Sequence, residues 1–180
     1  MSSSTRQAVA AAKEIITPLL NDADLKFAEE LFAIGSAVAD SKQLRNILSD
    51  PSAEIAGKKA ALAAVFGKSV SSKTVDFVAK LVDLRWSSGS DLVRALEQLA
   101  VHSVAAIAAK TNKLEALEAE LFEFRQVVDS DQELQIALAS RQASSDQKIA
   151  LVNALLAGPS AAWQLCLSSS ESYWLHLRSV

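Results

Sequence analysis

An all-α fold is what this sequence predicts: a helical bundle followed by a partial second helical unit. Three observations carry that prediction. Apolar residues recur at three- and four-residue spacings along most of the chain, which is the period of a helix with one buried face. Half of the 180 residues are hydrophobic and dominated by Ala and Leu, with only five Gly and three Pro. No segment shows the two-residue alternation of a half-buried strand.

Each element follows from its own signals. Residues 4–20 form the first helix, with Ser4 and Gln7 as a capping box. Residues 24–39 carry the stripe Phe27, Leu31, Ile34 and Val38. A short helix over 41–48 stops at Ser49-Asp50-Pro51. Residues 54–66 end at Gly67, read as a helix C′ residue. Residues 72–85 carry Val75, Phe77, Val78, Leu81 and Leu84, and Ser87-Ser88-Gly89-Ser90 marks a turn. The helix from Asp91 to about Lys110 turns Leu92, Leu96, Leu99 and Ile107 inward. Asn112 then caps a helix with the stripe Leu114, Leu117, Leu121, Phe124 and Val128, with Glu115 completing a box. Ser130 and Glu133 open a short helix with Leu134 and Leu138. Residues 144–157 form the last, with Leu151, Val152 and Leu155.

An internal repeat runs at an offset of 90 residues. Glu30-Leu31-Phe32 matches Glu120-Leu121-Phe122. Phe27, Ile34 and Val38 match Leu117, Phe124 and Val128, and Leu44 and Leu48 match Leu134 and Leu138. After a one-residue slip, Lys59 and Leu62 match Lys148 and Leu151. The domain organisation is therefore a bundle over 1–110, a partial repeat over 111–158 and an atypical tail over 159–180. The tail holds two of three Trp, the only Tyr and the only Cys. It reads as a docking tail, a change of reading frame or a non-native end.

The function classes narrow by what is missing. A net charge of −3, from 18 basic and 21 acidic residues, offers no surface built for phosphates, so nucleic-acid binding is not expected. The uncharged run 149–170 is broken by Asn153, Gly158-Pro159 and Gln164, so no membrane insertion is expected, and the chain reads as cytosolic. Gly67-Lys68-Ser69 lacks the earlier glycine of a phosphate loop, because position 62 is Leu62. His102 and His176 have no second ligand at metal spacing, and Cys166 has no neighbour to activate it. His102 reads as a core or boundary residue, and Trp86 as a packing residue beside Arg85. Glu115, Glu118, Glu120 and Glu123 read as a solvated helix face. No catalytic, cofactor or metal site emerges, and a non-enzymatic scaffold follows. The alternative to any specific assignment is a generic all-helical adaptor that binds partner helices.

At residues 27–100 the chain resembles the N-terminal helical domain of the ATP synthase delta subunit, the oligomycin-sensitivity-conferring protein of mitochondria. The residues that carry the resemblance are Leu44, Leu48, Pro51, Lys59, Leu62, Phe66-Gly67, Thr74, Phe77, Leu81, Arg85 and Leu92, in that order. Leu-Arg-Trp-Ser at 84–87 and the repeated half at 113–158 resemble the longer delta subunits of actinobacteria, in which this unit is duplicated. The resemblance covers residues 5–158.

It implies a non-catalytic stator subunit in the peripheral stalk of an F-type ATP synthase, linking the catalytic head to the membrane sector. The place implied is peripheral, at the cytoplasmic face of the cell membrane. The implied partners are the N-terminal helices of the alpha subunits, held in an apolar groove, and the stalk b subunit. Phe77, Leu81 and Leu84 match a groove-forming helix of the family and serve as partner-binding candidates, as well as core candidates. Family members continue with strands, a Gly-Gly and an Asp-Gly-Ser segment. Here PSAAWQLCLSSSESYWLHLRSV follows instead, which reads as a truncated or frame-shifted end without the stalk-binding half. Helices 113–128 and 144–157 would then lack partners, exposing apolar surface and promoting self-association.

Overall fold

The structure is a computed structural model that describes residues 3–140 and 142–156. The expectations for the 159–180 tail lie outside the described residues. The described residues contain helices and no strand. They fall into two compact units, one within residues 1–107 and the other from residue 108 onward.

The first unit holds α1 (Ser3–Leu20), α2 (Leu25–Asp40), α3 (Lys42–Ser49), α4 (Ile55–Phe66), α5 (Ser72–Val82) and most of α6 (Gly89–Lys110). Each helix buries the stripe its periodicity sets: Ala8, Ala12, Ile16 and Leu20 on α1, Phe27, Leu31, Ile34 and Val38 on α2, and Leu92, Leu96 and Leu99 on α6. These stripes merge with Leu48, Leu62, Phe66, Phe77 and Leu81 into one core. Burial of such large apolar side chains stabilises by about 1.5–3 kcal/mol each. α6 has the length and apolar content of a membrane span, yet its apolar face is built into this core.

Side-chain caps set several starts. Asp24 accepts the Phe27 N–H at 2.9 Å, and Ser41 accepts the Leu44 N–H at 3.2 Å. Ser88 accepts the Asp91 N–H at 3.2 Å, so α6 begins at Gly89, inside the segment read as a turn. A Cβ at Gly89 would run into the Arg45 side chain, so this glycine lets the start of α6 lie close against α3.

Two expected caps are corrected here. Ser4 lies within α1 and does not open it; its hydroxyl sits 2.7 Å from that of Ser87. Next to it, Thr5 donates to Asp91 Oδ2 at 3.0 Å and accepts the Ser87 N–H at 3.3 Å, so this end of α1 is spent on the α5–α6 connection. Gly67 is the C-cap of α4 but is right-handed, at φ −62°, so it does not supply the left-handed turn expected of a C′ glycine.

The second unit contains α7 (Leu114–Ser130), α8 (Gln132–Ala139) and α9 (Ser145–Leu156). Asn112 has φ +53°, the one non-glycine with positive φ among the described residues. Its N–H bonds Ala109 O at 3.2 Å, and the Lys113 N–H bonds Ala108 O at 2.8 Å. That pair is a Schellman motif, so Asn112 ends α6 and does not cap α7. Asn fills the position because its short polar side chain tolerates the left-handed region. In the same way Ser130 is the last residue of α7, and Asp131 caps α8 by accepting from the N–H groups of Glu133 and Leu134. Ser144 and Gln147 exchange backbone-to-side-chain bonds at 2.9 and 3.2 Å, a reciprocal capping box at the start of α9.

The bounds of α3 and α8 differ by 90 residues at both ends, and so do the starts of α4 and α9. No slip is needed. At that offset the buried set Lys58, Leu62 and Phe66 of α4 falls on Lys148, Val152 and Leu156 of α9, so Lys148 is the counterpart of Lys58 and not of Lys59. The two units differ in burial. Leu31 is fully buried, whereas its counterpart Leu121 is 46% exposed, and α7 and α8 bury no residue completely.

Candidate partner-binding surface

α5 carries the partner-binding candidates, and it is held at both ends by buried charges. At its N-terminus Ser71 is the N-cap, accepting the Thr74 N–H. Behind this cap lies Glu30 of α2, 1% exposed. Its carboxylate accepts the Ser71 N–H at 3.0 Å, the Ser71 hydroxyl at 2.7 Å and the Thr74 hydroxyl. At the other end Lys58 of α4, 5% exposed, donates its Nζ to Val82 O at 2.9 Å. An acid at a helix N-terminus and a base at its C-terminus both suit the helix dipole. Burying either without partners would be costly, and these hydrogen bonds offset that cost.

Trp86 completes the C-terminal end. Its indole donates to Leu81 O at 2.7 Å, and the ring is buried. Leu81 O and Val82 O are the acceptors that a longer helix would offer to the N–H groups of residues 85 and 86. Trp86 and Lys58 take them instead. α5 therefore stops at Val82, three residues short of the helix expected over 72–85.

This end decides where the three candidates lie. Phe77 and Leu81 are core residues, at 1% and 0% exposure. The Phe77 ring packs tilted against Phe27 of α2, with centroids 5.7 Å apart. Leu84 is half-buried at the edge of the core, beyond the helix end, so it shares no helical face with the other two. Arg85 is exposed while Trp86 is buried, so the two do not form a surface pair.

The first unit also has an open cleft of about 370 Å³ between α1 and α6. Val9, Ala12, Ala95, Leu99, Val101 and Ala105 supply its apolar lining, and Lys13, Gln98 and His102 its polar one. His102 is exposed on the rim and is not a core residue. Val101 is 59% exposed. Among the described residues no three His, Cys, Asp or Glu side chains gather at a metal-binding distance. Glu115, Glu118 and Glu123 lie exposed on α7 and Glu120 is half-buried.

The buried charged side chains that sequence patterns passed over are Glu30 and Lys58. Both stand on apolar stripes, Glu30 beside Phe27, Leu31 and Ile34, and Lys58 with Leu62 and Phe66. A charge at a core register was the available signal. Lys59, singled out instead, is exposed.

Comparison with known proteins gives a consistent answer. The family model for the ATP synthase delta (OSCP) subunit matches residues 20–102 and 101–167. ATP synthase subunit delta of Leifsonia xyli subsp. xyli is 40% identical over 168 residues, which are 93% of this chain and 62% of that protein. The Streptomyces griseus subunit is 39% identical over 162 residues, 88% of this chain and 59% of the relative. That of Arthrobacter sp. is 35% identical over 181 residues, 96% of this chain and 66% of the relative. The chain thus spans about six-tenths of the length of the curated relatives it matches. On the family match across most of its length and these identities, the chain belongs to the ATP synthase delta (OSCP) subunit family.

Proposed function

We propose that this chain is a non-catalytic stator subunit of an F-type ATP synthase, part of the peripheral stalk that links the catalytic head to the membrane sector. It works as a peripheral component of the membrane-bound complex, at the cytoplasmic face. The observation that carries this reading is the family match over residues 20–102 and 101–167, with relatives each named as ATP synthase subunit delta. The work is mechanical, and its energy comes from apolar surface buried against partner helices.

The head-side contact is with the N-terminal helices of alpha subunits. Phe77 and Leu81 serve it from within, by holding α5 in place through the core. Leu84 and the α1–α6 cleft with its exposed Val101 offer apolar surface to the helix itself. The test is titration of the full chain with a synthetic peptide of an alpha N-terminal helix, followed by fluorescence anisotropy. Saturable binding that weakens about ten-fold in Leu84→Asp or Val101→Asp, the effect of removing an apolar anchor, supports the reading and identifies the surface. A peptide that fails to bind the folded chain overturns it.

A further inference from the structure

The α1–α6 cleft is apolar along its floor and basic along its rim. Thr5 near the start of α1 donates to Asp91 near the start of α6, and Val9 and Ala12 then line the cleft with Ala95 and Leu99. The two helices therefore run side by side in the same direction. At that register Lys13 stands on one wall and His102 on the other, about one turn further along. Gln98 lies four residues before His102, on the same face of α6. Lys13, Gln98 and His102 are all exposed. Among the described residues no acid lines the cleft. Asp91 is engaged by Thr5, and the Glu97 side chain lies toward Gly35 of α2. A basic, acid-free cleft runs against the chain as a whole, which has 21 acidic and 18 basic residues.

From this lining we infer that Lys13 and His102 are specificity-determining residues of the cleft, which select an amphipathic helix carrying a carboxylate beside its apolar face. Ala12, Leu99 and Val101 take the apolar face. Lys13 supplies a permanent positive charge to the carboxylate, Gln98 an amide donor, and His102 a second charge at low pH. Lys13 is the charged group that faces His102 from the other wall of the cleft. A second copy of this chain is disfavoured as the occupant, because two such clefts would bring like charges together. The inference rests on the reading of this cleft as a seat for the alpha N-terminal helix, and adds the charge by which that helix is chosen.

The test uses the full chain at low salt, where rim charges are least screened. Two labelled peptides are titrated by anisotropy: the synthetic alpha N-terminal helix, and the same peptide with each Asp and Glu replaced by Asn and Gln. The amide peptide should bind about two- to five-fold more weakly, the range for exposed ion pairs. Lys13→Gln should weaken the acidic peptide by a similar factor and leave the amide peptide unchanged. Affinity for the acidic peptide should rise about two-fold or more between about pH 8 and about pH 5.5, where carboxylates stay ionised while histidine gains its charge. His102→Gln should abolish that rise, with circular dichroism confirming unchanged helicity. The sign follows from the charge: the contribution is present at low pH and is lost as pH rises. Equal affinity for the two peptides, or a pH response that His102→Gln leaves intact, overturns this inference and leaves the stator reading standing. A peptide that binds at neither pH overturns both. A parent chain that sediments as a dimer, and as a monomer in Val101→Asp, also overturns the inference, by making a second copy the occupant.

Discussion

The carboxylate of Glu30 accepts both the backbone N–H and the hydroxyl of Ser71, 41 residues away, at 3.0 and 2.7 Å. A single side chain thus ties α2 to the first turn of α5. Its removal leaves the half-buried Ser71 hydroxyl and the buried Thr74 hydroxyl without their acceptor. We expect Glu30→Ala to cost about 2–4 kcal/mol, the range for stranding buried partners of a charged group. Urea unfolding of the two variants checks this: Glu30→Gln, which keeps one acceptor oxygen, should lie between Glu30→Ala and the parent.

Lys58 and Lys59 are adjacent, and the structure separates them sharply. Lys58→Met removes the buried donor to Val82 O and should cost about 1–3 kcal/mol. Lys59→Met alters an exposed side chain and should stay within about 0.5 kcal/mol of the parent. Equal effects in thermal melts would contradict the clamp at the end of α5.

Asn112 adopts a backbone conformation that glycine takes more readily. Asn112→Gly should be neutral or stabilising, whereas Asn112→Val should destabilise by about 1–2 kcal/mol, since a β-branched residue is penalised at positive φ. The loss should appear in the melting of the second unit, because the motif closes within residues 108–113.

Asp50 supplies a pH test. The Ser52 hydroxyl and then the Ser52 N–H, at 2.6 and 2.8 Å, hold its carboxyl below the ordinary aspartate range. A depressed folded-state value means that the contribution to stability is complete above the unfolded-state value. It is lost as pH falls through the folded one. NMR titration should find the Asp50 midpoint low in the parent and shifted upward in Ser52→Ala. An unshifted midpoint would remove the Ser52 bonds as the cause.

The helices themselves were legible in the sequence, because the stripes Phe27, Leu31, Ile34 and Val38 or Leu92, Leu96 and Leu99 need only local periodicity to be seen. Helix ends were less so. Asn112 and Ser130 have the chemistry of N-caps, but whether a residue closes one helix or opens the next depends on its backbone angles. The end of α5 depends on Lys58 and Trp86 taking carbonyls that local propensity would leave to the helix. The candidates Phe77, Leu81 and Leu84 show the same limit: the resemblance placed them on one groove-forming helix, and tertiary bonds end that helix before Leu84. Glu30 and Lys58 were hidden for the opposite reason, since a charge on an apolar face acquires its meaning only from a partner distant in sequence.

The absence of any fully buried residue on α7 and α8 has a kinetic consequence. Backbone amides there can meet solvent through small local openings, while those of α5 must wait for the first unit to come apart. In deuterium exchange α7 and α8 should label orders of magnitude sooner than α5. Limited proteolysis should cut first within residues 111–140 and leave a resistant fragment that ends near Lys110.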